Sequence, residues 1–161
     1  MRVTDDESHF VKVRFLLVRD AYGWPPIESE GLWAEPLGDD LFRIGNSPWF
    51  VPGISDGDVV HALAGSDGVL WAIKRAKSSG HMTVRVIPSR EHSPPLDLQG
   101  VADLFVPHGV TAESISEYRM VALDVPPGVD LVAVKQLLVN GEVSGLWGYD
   151  EGSVSDEWTR L

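Results

Sequence analysis

Gly53-Ile54-Ser55-Asp56-Gly57 has the G-x-S-x-G spacing of a serine-hydrolase elbow and is the sharpest catalytic string in the chain. That chemistry needs the serine on a tight strand-to-helix turn, where a helix amino terminus and backbone N–H groups stabilise an oxyanion. The following residues, 58–63, are β-prone and too few for a helix. The string therefore reads as a polar turn feeding a strand. Five histidines, at positions 9, 61, 81, 92 and 108, include no pair at i, i+2 or i, i+4, the spacings that put two metal ligands on one face of a strand or helix. His61 stands in an apolar strand, where a hydrogen-bonded, half-buried imidazole is the plainer account than a general base. The acidic pairs Asp5-Asp6, Asp39-Asp40, Asp150-Glu151 and Asp156-Glu157 fall in turns or near the termini. A glycosidase needs two carboxyls facing across a cleft, about 5 to 9 Å apart. Asp56 and Asp58 flank Gly57 like a fragment of a calcium loop, without its closing glutamate. No catalytic residue, metal site or cofactor is expected.

Binding is better represented. Residues 46–53, Asn-Ser-Pro-Trp-Phe-Val-Pro-Gly, place Trp49 and Phe50 in a proline-bracketed loop, and rigid aromatic side chains on loops make good anchors. With His61, Trp71, Ser55 and Asp58 they form the expected ligand or partner site. Lys74, Arg75 and Lys77, with Arg85 on the next strand, are the one local excess of positive charge. They suggest a small anion site, although such residues also blunt exposed sheet edges. Of the six tryptophans, Trp24, Trp33, Trp49 and Trp71 fall in the first half, and large aromatics there are expected to build a barrel core.

The elements that must position these residues divide into two halves. Up to Pro88, short β-rich runs alternate with Gly, Pro, Asn and Asp, the pattern of a small antiparallel barrel. Strands are predicted at 9–19, 28–37, 41–44, 58–63 and 69–77, with a short extended piece at 48–51. A further strand at 81–87 is followed by a helix capped by Asp97, strands at 110–116 and 118–125, a helix begun by Asp130 and ended by Asn140-Gly141, and a last strand at 146–149. That order is the βαββαβ order of a ferredoxin-like unit. The expected fold is α+β, a small antiparallel β-barrel over residues 9–80 followed by a ferredoxin-like half over 81–149. An acidic tail, 150–161, is either frayed or held by Trp158.

Charge narrows the partners. The 161 residues carry a formal charge of −11, of which −8 lies in residues 89–161. Such a chain repels a phosphate backbone, so nucleic acid is not an expected partner, and a basic protein would meet the second half first. Apolar runs such as 120–123 fall far below the ~18 residues of a membrane span. The acidic amino-terminal segment lacks the features of a secretory signal. With no cysteine in the chain, these readings point to a cytoplasmic protein that needs no disulfide.

Residues 13–16 (Val-Arg-Phe-Leu), 25–34 (Pro-Pro-Ile-Glu-Ser-Glu-Gly-Leu-Trp-Ala), 48–51 (Pro-Trp-Phe-Val), 57–60 (Gly-Asp-Val-Val) and 121–127 (Val-Ala-Leu-Asp-Val-Pro-Pro) carry a family resemblance. In them the chain resembles the small bacterial proteins grouped as domain of unknown function 4265, over nearly its whole length. The resemblance implies a bacterial cytoplasmic origin and a shared architecture, and it brings no activity or catalytic residue. The function expected is that of a non-catalytic binding protein, an immunity-like or regulatory partner of a basic protein. The alternative is a small-molecule binder or small enzyme with a pocket between the two halves.

Overall fold

The computed structural model describes residues 9–161. The Asp5-Asp6 pair and the acidic amino-terminal segment lie outside the described residues. The chain divides into two compact units, with the boundary between Ser79 and Gly80.

The first unit is a closed five-stranded barrel in the order β1-β2-β3-β4-β5. Its strands are β1 (Val11–Leu16), β2 (Ser29–Gly38), β3 (Leu41–Ile44), β4 (Val59–Ala64) and β5 (Leu70–Lys77). Alternation decides which residues enter the barrel. Val13, Phe15, Leu32, Ala34, Phe42, Ile44, Val60 and Ala62 are buried, whereas their neighbours Lys12, Trp33, Arg43 and Leu63 point outward and are exposed. Consecutive strands pair antiparallel, and β1 closes on β5 in parallel through Val13 opposite Leu70 and Arg14 opposite Trp71. Asp39 and Asp40 turn the β2–β3 hairpin with φ of 57° and 61°, the left-handed pair that a type I′ turn requires and that Asp tolerates. Residues 48–51 form no strand.

The four tryptophans of this unit do not fill the barrel. Trp24 and Trp33 are 46% and 51% exposed, and Trp49 and Trp71 are half-buried. The interior of a five-stranded barrel is narrow, and Val, Ala, Leu, Ile and Phe occupy it. The fully sequestered indoles, Trp147 and Trp158, belong to the second unit.

That unit is a four-stranded antiparallel sheet in the order β7-β8-β6-β9. Its strands are β6 (Met82–Pro88), β7 (Thr111–Ile115), β8 (Met120–Val125) and β9 (Trp147–Ser153), and its helices are α1 (Leu98–Phe105), α2 (Leu131–Val143) and the short α3 (Asp156–Thr159). Met82, Val84 and Val86 of β6 and Val121, Leu123 and Val125 of β8 form one core with Val101 and Phe105 of α1 and Val134 and Leu138 of α2. Asp97 and Asp130 cap these helices by accepting from the N–H of Gly100 (2.7 Å) and Ala133 (3.1 Å), as their sequence positions predict. Among the described residues no helix is long and apolar enough to cross a membrane.

Two features of this unit depart from the sequence reading. Gly141 does not end α2, which continues to Val143, and the left-handed residue beyond it is Gly145 (φ 77°). Gly141 is instead buried against Trp147: a Cβ there would stand 2.0 Å from Cζ2 of the indole, whose Nε1 donates to the Leu138 carbonyl at 3.0 Å. Of the two readings for 150–161, frayed or held by Trp158, the structure has the second, and the departure is that the first four residues lengthen the last strand. Residues 150–153 complete β9, and Ser155 caps α3 so that Trp158 is fully buried, its Nε1 donating to Glu151. Lys135 secures the same turn, with Nζ 2.9 Å from the Trp158 carbonyl and 5.5 Å from its ring centroid.

Candidate functional site

Two buried carboxylates organise the loop that carries most of the predicted site. Glu30 of β2 is 6% exposed, and its oxygens accept the backbone N–H groups of Trp49 (2.6 Å), Phe50 (2.9 Å) and Val51 (3.0 Å). Three amides of a loop without strand partners are thereby satisfied by one charge, which is why residues 48–51 need no sheet neighbour. Phe50 is buried and stands edge-on to Trp24, ring centroids 5.4 Å apart. Trp49 and Phe50 are thus held in place, and Phe50 offers no exposed anchor.

Asp58, the residue before β4, accepts from the N–H groups of Ser55 (2.9 Å) and Ser79 (2.8 Å). It stands 3.6 Å from Arg75 Nη1, and that guanidinium also donates to the Gly53 carbonyl at 3.2 Å. Ser55 is buried at the head of this turn, and a strand, not a helix, comes next. The G-x-S-x-G string is thus an aspartate-clamped turn, without the helix amino terminus that would activate a serine nucleophile. Because two amides hold Asp58 while the Arg75 contact is long and half in water, Arg75→Ala should cost no more than about 1 kcal/mol by urea titration. A loss several times larger would make the ion pair, not the amides, the main clamp.

The remaining predicted residues face elsewhere. His61 lies between Leu41 and Lys74 on the outer barrel surface, and Trp71 lies between Leu63 and Arg14. Lys74 and Lys77 are exposed on β5. Arg85 belongs to the second unit, where it is 4% exposed and 2.9 Å from Asp150. Its guanidinium passes over Gly152, where a Cβ would come within 2.4 Å of Nη1.

Sequence reasoning missed two groupings in the second unit. His81 Nδ1 stands 2.9 and 3.0 Å from the two oxygens of Asp124, a contact that fixes the orientation of the ring. Its signal was a lone aspartate interrupting the apolar run of β8. The second grouping surrounds β9, an edge strand of the sheet. Tyr149 and Glu151 stand opposite Val86 and Val84, hence on the helix-covered face, and Asp150 stands opposite Arg85. Burial raises the Tyr149 pKa above its ordinary value of 10.0, and the negative charges of Glu151 and Glu142 raise it further. Folded protein therefore holds the phenolic proton more tightly than unfolded chain, so this group's contribution to stability is complete below pH 10 and declines as pH rises through the raised value. Absorbance at 295 nm should show a late ionisation that Tyr149→Phe abolishes. If the late phase survives that change, Tyr149 is not its source.

The second unit also contains a cleft of about 590 Å³ bordered by Met82, Pro126, Pro127, Leu131, Val132 and Leu161, with Asp130 and Glu157 among the residues that line it.

Against this geometry the sequence can be placed. Residues 30–149 match the model of a family described as "Domain of unknown function (DUF4265)". The chain belongs to this family. Family membership supplies no activity to transfer to the residues above. No curated protein matches the chain. Among solved structures it is similar to one described as "Novel crystal structure of a hypothetical protein from Neisseria gonorrhoeae", with 20% identity, a TM-score of 0.72, and coverage of 90% of this chain and 96% of that one. The likeness extends the fold across both units of this DUF4265 protein.

Proposed function

We propose that this DUF4265 protein is a non-catalytic binding protein that engages a basic protein, as a regulatory or immunity-like partner would. The carrying observation is the acidic excess of residues 89–161, −8 of the formal charge, with Asp150 and Glu151 of β9 and Glu142 of α2 exposed. Further support comes from the barrel, where Glu30 and Asp58 are committed to backbone amides. An acidic surface of this kind speeds association with a cationic partner and makes it salt-sensitive. Tagged protein should recover a basic protein from a lysate of the source organism at low salt and release it at about 0.5 M salt, where the Debye length falls below about 5 Å. Recovery of no basic protein at either salt would count against the reading.

We also read the second unit as ferredoxin-like. The strand order β7-β8-β6-β9, with α1 and α2 packed on one face, supports this class. A second functional reading, small-molecule binding, is favoured by the cleft beside α2. Fragment titration should then shift the amide resonances of Val129 and Leu131, and a screen that moves neither would remove it.

A further inference from the structure

We propose that the basic partner is bound as an extended segment that adds a fifth strand to the sheet along β9. This inference rests on the basic-partner reading and specifies how that partner is held. The barrel closes on itself through β1 and β5, whereas the four-stranded sheet is open and ends at β7 and β9. Every second residue of an edge strand turns its N–H and C=O away from the sheet, a row that another extended chain can pair with. Of the two edges β9 is the longer, with seven residues against five. Gly148, Asp150 and Glu151 are exposed, and a Cβ on Gly148 would meet nothing within 4 Å, so the edge is open at its centre.

Charge selects the occupant. Acidic residues on an edge repel another copy of the same edge, as natural sheets commonly arrange, and the same charges attract a cationic strand. The two faces of β9 differ. On one, the Asp150 charge is met by Arg85 at 2.9 Å. On the other, Glu151 projects beside Tyr149, with Glu142 of α2 close enough for its charge to act on the phenol. Lys135, the cation of α2, is committed to the Trp158 carbonyl. An added strand therefore meets, on the helix-covered face, carboxylates for which no cation forms an ion pair among the described residues, Glu151 accepting from the neutral N–H of Trp158. Because side chains alternate along a strand, the fitting segment carries Lys or Arg at every second position and small apolar residues between them.

Three synthetic peptides test this with the full chain: an alternating Lys-Val peptide, the same peptide with proline at alternate valines, and an alternating Glu-Val peptide. Amide exchange and chemical shifts report on β9, and titrations give the affinities. The Lys-Val peptide should bind at low salt, protect amides within residues 148–152, and weaken at about 0.5 M salt. The proline peptide keeps the charge but cannot complete the ladder, so it should bind at least about tenfold more weakly. Glu142→Lys, at an exposed helix position, should weaken the Lys-Val peptide several-fold without changing the melting temperature. Equal binding of the Lys-Val and proline peptides, or protection elsewhere than β9, overturns strand addition while leaving the basic-partner reading intact. Binding of the Glu-Val peptide in preference to both overturns the two together.

Discussion

Glu30→Gln is expected to lower the unfolding free energy by about 3 kcal/mol, since hydrogen bonds to a buried charge contribute roughly 1.5–3 kcal/mol and an orphaned buried donor costs a similar amount. The side chain keeps its length, so packing is preserved and charge and acceptor capacity alone change. Three N–H groups converge on the two carboxylate oxygens. A glutamine brings one carbonyl oxygen and one NH₂ group, and the NH₂ must point at a donor. At least one of the Trp49, Phe50 and Val51 amides then loses its acceptor. The edge-on contact of Phe50 with Trp24 depends on that loop, so tryptophan fluorescence should change with stability. Urea denaturation gives the free energy, and a loss under about 1 kcal/mol would mean that water replaces the carboxylate without difficulty.

Gly141→Ala should be as damaging, by about 3 kcal/mol, although alanine is the better helix former by roughly 1 kcal/mol in an exposed helix. Propensity and packing oppose each other here, and distance decides between them. A Cβ placed 2.0 Å from Cζ2 and 2.1 Å from Cε2 of Trp147 requires the indole to move. The indole is fixed by its bond to Leu138 O and by Phe105, whose ring centroid lies 5.7 Å away. Moving it opens a void beside the sheet or lifts α2 from β9, and over-packing of a filled core typically costs 1–3 kcal/mol. A double variant, Gly141→Ala with Trp147→Phe, should recover part of the loss because the smaller ring vacates the contested space. No change in stability for the single variant would mean that α2 shifts freely on the sheet.

The same glycine illustrates what could and could not be read from the chain. Asn140-Gly141 has the composition of a helix end, and the residue that makes the glycine necessary, Trp147, lies on the next strand; only tertiary packing reveals it. Periodicity served better wherever local chemistry was decisive. Asp97 and Asp130 start their helices through bonds to residues three positions on, and alternation in β1 sorts inward from outward, while in β6 it picks out Met82, Val84 and Val86 for the helix-covered core although Thr83 and Arg85 are buried too. The tryptophans of the first unit stay out of the barrel interior because hydrophobicity does not report the width of the space to be filled. Trp33 is left outside, beneath the ammonium of Lys12 at 4.4 Å. Glu30 was unremarkable in sequence, since its partners are about twenty residues away and are backbone groups. The acidic excess of the second half was legible as charge. Its arrangement about β9 was not, because the predicted strand ended at Tyr149, before Asp150 and Glu151.

The strand order of the second sheet also constrains events during translation. The barrel is complete once Lys77 has left the ribosome, because all its strands precede that point. β6 follows immediately, yet its neighbours are β8 and β9, so it has no strand to pair with until the chain has grown to Val125. The run from Met82 to Pro88, three of whose valine and methionine side chains enter the finished core, must wait while some forty further residues are made. At roughly 5 to 20 residues per second, that is an interval of seconds in which an apolar strand lies open beside a finished barrel. A nascent chain stalled between Pro88 and Val125 should accordingly be a better chaperone substrate than one stalled just after Lys77.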